Sequence, residues 1–163
     1  MASNPIYEFH AQLRDYQPKI WRRFQVVNNT TMARLGYILM TLFEMQANHL
    51  FRIEVPFKEN LIESIRKRLG DSEYNELFAA DKPFNDVDEN RIFEIITDDT
   101  YLYRDEDEKV YDITEHKLKH VITAPDSRLV FVYDFGDNWI VDVTLERVFN
   151  DADLPGRLLP RVL

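Results

Sequence analysis

Asp134, Asp137 and Asp142 place three carboxylates within nine residues near the end of the chain. Hard cations such as Mg²⁺ and Ca²⁺ need several converging oxygens, so the trio is a candidate cation site and, with it, a candidate metal-dependent hydrolase or nuclease. The spacing has no EF-hand pattern, and acids beside a turn more often cap backbone or meet solvent. Asp134-Phe135-Gly136 matches the metal-binding tripeptide of protein kinases, but the chain lacks the glycine-rich loop, strand lysine and catalytic loop that mechanism requires. His116 and His120, four apart on an expected helix, would share one face as zinc ligands do, with His10 or His49 as a third. Lys117 stands where the His-Glu-x-x-His pattern needs glutamate, so chance surface histidines are the simpler reading. Trp21-Arg22-Arg23 is a candidate recognition patch, because arginine stacks on aromatic rings and clamps carboxylates or phosphates. On a strand the two arginines point to opposite faces, and at least one is expected in an ion pair.

The elements that position these residues follow from periodicity. Residues 6–13 alternate, with Tyr7, Phe9, Ala11 and Leu13 on one face and Glu8, His10 and Gln12 on the other, which predicts a half-buried strand. A turn over Asp15 to Pro18 returns the chain into a second strand, about Ile20 to Val27. Asn28-Asn29-Thr30-Thr31 offers caps for a helix from about Met32 to Gln46, in which Gly36 marks a close approach to the sheet. His49 to Val55 reads as a third strand, Phe57 to Leu69 as a helix closed by Gly70, and Ser72 to Ala80 as a shorter helix. Arg91 to Thr97 and Tyr101 to Tyr103 read as strands around a turn at Asp98-Asp99, the acidic run Asp105 to Glu108 as a loop, and Thr114 to Ile122 as a short helix.

A closing hairpin carries the three acids. Leu129, Phe131, Tyr133 and Phe135 form one face of its first strand; Trp139, Val141, Val143 and Leu145 form the matching face of the second. Like faces must pair, since a slip of one residue turns every side chain over. A three-residue loop, Gly136-Asp137-Asn138, satisfies this by pairing Phe135 with Trp139, Tyr133 with Val141 and Arg128 with Glu146, and it predicts positive φ at Asn138. In that register Asp134 and Asp142 share a face.

The 163 residues, 45% of them hydrophobic, suffice for one core and predict a single domain over 1–163. The expected fold is α+β: a mainly antiparallel twisted sheet of six or seven strands packed by one main helix, with a helical insertion and a β-grasp-like order ββαβ. Cysteine is absent, which excludes disulfides and thiolate metal sites. No signal-like or membrane-length apolar segment occurs, so the expectation is a soluble cytoplasmic protein without membrane contact. Residues 81–108 hold eleven acids against three bases, in a chain of net charge −9. Such a stretch repels nucleic acid and suits a basic protein partner, or nothing beyond solubility.

Pro18, Ile20 to Arg23, His49 and the run Tyr133 to Trp139 together resemble the plasmid pRiA4b ORF-3-like family, over nearly the whole chain. The resemblance implies an α+β domain encoded on plasmids or beside mobile elements, with no assigned activity and no catalytic residue to carry over. Members of that family continue past the position of Leu159-Pro160-Arg161 into a glycine-rich, acidic segment and a helical tail, so a site completed there would be incomplete in this chain. The binding candidates are Trp21, Arg22, Arg23, His49, Asp134, Asp137 and Trp139. No cofactor is expected. The leading expectation is a non-enzymatic interaction protein; the alternatives are the metal-dependent enzyme and an acidic mimic of nucleic acid.

Overall fold

A computed structural model describes residues 5–78, 84–100, 108–150 and 159–163. The alternating segment at the start forms β1 (Pro5–Leu13), and β2 (Trp21–Val27) returns antiparallel to it, with Phe9 opposite Phe24 and Gln12 opposite Trp21. Tyr7, Phe9, Ala11 and Leu13 are all buried, as their period predicts.

Thr31 caps α1 (Met32–Leu42), its hydroxyl accepting the Arg34 amide at 3.1 Å. The helix lays Met32, Leu35, Gly36, Leu39 and Met40 against the sheet. A Cβ on Gly36 would stand 2.4 Å from Cε2 of Phe51, so the helix seats closely only because this position carries no side chain. α1 stops four residues short of the expected Gln46. Glu44 turns left-handed at φ 57°, and the Met45 amide bonds back to the Met40 carbonyl.

β3 (Phe51–Val55) begins two residues later than expected, because 47–50 form a loop. α2 (Phe57–Leu69) has the predicted bounds and ends at Gly70, φ 84°. α3 (Asp71–Leu77) follows, then β4 (Arg91–Glu94), shorter than expected, and a turn closed by the Thr100 amide on the Thr97 carbonyl. The expected strand Tyr101 to Tyr103 and the acids Asp105 to Asp107 lie outside the described residues.

β5 (Lys109–Asp112) leads to a single helical turn, α4 (Leu118–Val121), instead of a helix from Thr114. The Asp112 carboxylate takes both the amide and the hydroxyl of Thr114, at 2.9 and 2.6 Å, and the His116 carbonyl accepts the Met32 amide. That segment is spent on docking against the start of α1 and has no backbone left for a helix. His116 therefore sits outside α4, edge-on to the rings of Phe93 and Tyr111.

β6 (Arg128–Tyr133) and β7 (Trp139–Asn150) form the closing hairpin, and β8 (Arg161–Val162) adds to the edge of β2. Among the described residues eight strands, one or two more than the expected count, form a single sheet in the order β5-β4-β3-β6-β7-β1-β2-β8. Every pair is antiparallel except β4 with β5 at the edge. The chain order ββαβ is present in β1-β2-α1-β3, and the late hairpin inserts between β3 and β1. The result is a single α+β domain with its core between the sheet and α1.

The hairpin register differs from the expected one by two residues per pair. Tyr133 faces Trp139, Phe131 faces Val141 and Arg128 faces Thr144, so the loop runs over five residues, 134–138. Like faces still pair. Asn138 has the expected positive φ, 52°, and Asp134 a second, 59°. Asp134 has left the ladder, and it shares no strand face with Asp142.

Candidate functional site

Four of the seven candidates, His49, Asp134, Asp137 and Trp139, line one cleft of about 350 Å³. Two loops and the end of α1 build it. The 47–50 loop is fixed by the Tyr133 hydroxyl, which donates to Asn48 Oδ1 at 2.9 Å, and by the Leu50 carbonyl, which accepts the Asp134 amide. The 134–138 loop is folded around the Asp134 carboxylate: its Oδ1 accepts the amides of Gly136 and Asp137 at 3.1 and 3.5 Å, while the Asn138 amide bonds to the Asp134 carbonyl. Asp134 Oδ2 lies 3.6 Å from Nε2 of His49, whose ring stands edge-on to Tyr133. Leu13, Phe43 and Met45 supply apolar wall, and Glu44 adds a third carboxylate. Sequence reasoning missed these four: Leu13 reads as the apolar face of β1, and helical spacing runs on through Met45 and hides the turn at Glu44.

Trp21 and Arg23 stand elsewhere. They occupy the sheet face turned away from α1, where Trp21 stacks on His10 at 5.4 Å between ring centres and Arg23 lies over the indole. Arg23 Nε donates to Glu146 at 2.8 Å, and this hydrogen bond holds the Glu146 carboxyl below its ordinary range. Glu146 thus pairs with Arg23 across β1, and Arg128 pairs with Glu59. Arg22 points to the α1 side, 5.7 Å from the centre of the Phe43 ring, with one guanidinium nitrogen on the Trp21 carbonyl. It is the one member of the triplet near the cleft.

The three acids divide in the same way. Asp142 opens onto the face away from α1, where Arg14 Nε donates to it at 3.0 Å. Asp134 and Asp137 face the cleft, so the trio does not converge. Among the described residues no group of three or more histidine or acidic side chains is placed to hold a metal ion.

A second depression, about 420 Å³, lies on the far side of the 134–138 loop. Glu54 and Glu94, from β3 and β4, with Asp99 and Glu108, give it four carboxylates; Leu50, Ile95 and Phe135 present apolar surface at its margin. Arg52, its one base among the described residues, is held by Glu54 at 2.7 Å and lies over the Phe135 ring at 4.8 Å. The two loops are therefore a shared wall: His49 and Asp134 face the cleft, while Leu50 and Phe135 face the groove.

Comparison of the whole chain with known proteins agrees with this frame. The plasmid pRiA4b ORF-3-like protein family matches residues 5–163. This chain belongs to that family. No curated protein matches it in sequence. A solved structure, a protein of unknown function, MM3350, from Methanosarcina mazei Go1, is similar at 19% identity and a TM-score of 0.67, over 99% of this chain and 69% of that one. At that identity the likeness shows a shared fold. No helix among the described residues of this pRiA4b ORF-3-like chain is long and apolar enough to cross a membrane.

Proposed function

We propose that the chain is a non-catalytic interaction protein, an accessory factor of plasmids or mobile elements, whose groove on the sheet face receives a basic segment of a protein partner. The observation that carries this reading is the composition of the groove. Among the described residues four carboxylates share it with a single arginine already held by Glu54 and Phe135, and exposed Leu50, Ile95 and Phe135 stand beside them. Exposed apolar side chains gain by being covered, and a ring of acid selects a cationic cover over an anionic one. A segment that alternates lysine or arginine with aliphatic side chains meets both demands.

The test is a titration with two peptides of one apolar pattern, one carrying lysine and the other glutamate. The lysine peptide is expected to bind and to weaken as salt rises; Glu54→Gln and Asp99→Asn together should lower its affinity about tenfold. Equal binding of both peptides, or of neither, defeats the reading.

A further inference from the structure

A basic segment in the groove leaves the cleft on the other side of the shared wall without a role. We propose that this cleft binds a small organic cation, a protonated amine or guanidinium on an apolar body, with Asp134 and Asp137 meeting the charge and Trp139 the body. Its volume, about 350 Å³, falls at the small end of sites that enclose small molecules, about 300–1,000 Å³.

Charge selects the ligand class. Glu44, Asp134 and Asp137 line the cleft, and among the described residues His49 is the one lining group able to carry positive charge. The carboxylates of Glu44 and Asp137 have no hydrogen bond or ion pair with the described residues. Asp134 Oδ1 is taken by two loop amides, but Oδ2 stands 3.6 Å from His49, beyond hydrogen-bond length, and remains able to accept. Glu44 and Asp137 are exposed and hydrated; an anion entering here meets three carboxylates, and a neutral molecule gains no charge interaction from them. A cation satisfies them.

The walls select the body. Trp139 is 37% exposed, with Tyr16 tilted against it at 5.6 Å between ring centres, and Leu13, Phe43 and Met45 complete an apolar lining. Aromatic faces attract cations as well as apolar groups, so indole and carboxylates favour the same ligand. Glu44, Asp134 and Asn138 hold left-handed backbone around this one opening, conformations that packing must maintain at a cost.

The chain has two tryptophans, so Trp21→Phe leaves Trp139 as the sole indole reporter. Phenethylamine and agmatine are titrated into that variant, with 2-phenylethanol as the neutral analogue and phenylacetate as the anionic one. The amines are expected to change Trp139 emission saturably, with the neutral analogue at least about tenfold weaker and the anion silent. Asp134→Asn and Asp137→Asn should each weaken the amines about tenfold. Asparagine keeps the oxygen that accepts the loop amides and tolerates left-handed backbone, so Asp134→Asn is expected to fold. Asp137, whose carboxylate has no partner, carries the test if it does not. Glu54→Gln, in the groove, should leave amine binding unchanged, so that this site and the peptide site succeed or fail separately. Absence of saturation, equal response to amine and alcohol, or full affinity in Asp137→Asn overturns the proposal.

Discussion

Gly36 shows what one missing atom decides. Glycine costs about 1 kcal/mol against alanine inside a helix, so Gly36→Ala would stabilise an isolated α1. In the protein the new methyl meets the Phe51 ring, which cannot withdraw because Tyr37 and Phe131 pack on it at 5.3 and 5.9 Å. Overpacking of this kind costs about 1–3 kcal/mol and outweighs the propensity gain. Gly36→Ala should therefore lower the denaturant midpoint, and Phe51→Leu in the same chain should recover part of the loss; a midpoint that rises in the single variant refutes the contact. Glu146 contributes in a way that depends on pH. Its folded pKa lies below the ordinary 4.5 because Arg23 binds the charged form, so its contribution is complete above pH 4.5 and disappears as pH falls through the folded value. The melting difference between the native chain and Glu146→Gln should thus be constant near neutrality and shrink below pH 4.5. A difference that grows on acidification would reverse the assignment.

At the scale of elements, legibility depended on whether the deciding interaction is local. α2 was readable to the residue because an apolar period, a proline before it and Gly70 after it all lie within the segment. The hairpin was readable only in part. Face matching excludes shifts of one residue but is blind to shifts of two, so three- and five-residue loops satisfy it equally. Asp134 breaks the tie by folding its own loop and donating its amide to Leu50, a partner more than eighty residues away that no local pattern announces. The cleft was hidden for the same reason: His49 and Asp134 meet through strand order, and Phe43 to Met45 join them through an early helix end. Within the loop, Asp134→Ala should cost about 0.5–2 kcal/mol, as loss of a capping side chain does, whereas Asp134→Asn should cost little. Matched thermal melts measure this, and equal loss in both variants would mean that charge, not the accepted amides, holds the loop.

Across the whole molecule, stability should be graded from the sheet centre outward. β1, β6 and β7 are flanked on both sides by hydrogen-bonded strands and supply Phe9, Ala11, Phe131, Val141 and Leu145, all fully buried. α2 has no buried residue in thirteen. It is tied down by polar contacts: the Asn60 amide bridges the carbonyl and amide of Arg128 at 2.9 and 3.0 Å, Lys58 pairs with Glu89, Arg128 with Glu59 and Lys67 with Asp126. Exposed ion pairs each contribute about 0–1 kcal/mol, so α2 is expected to open before the sheet does. Amide exchange should find α2 open well before β1 and β7, and Asn60→Ala should speed exchange in α2 while leaving the central strands unchanged. Equal protection of α2 and β1 would mean that the helical pair is integral to the core. The grading bears on both proposed sites, because their shared wall springs from β3, β6 and β7 and not from the helical pair. A partner or ligand then meets a preformed surface, and binding should leave α2 exchange as fast as before.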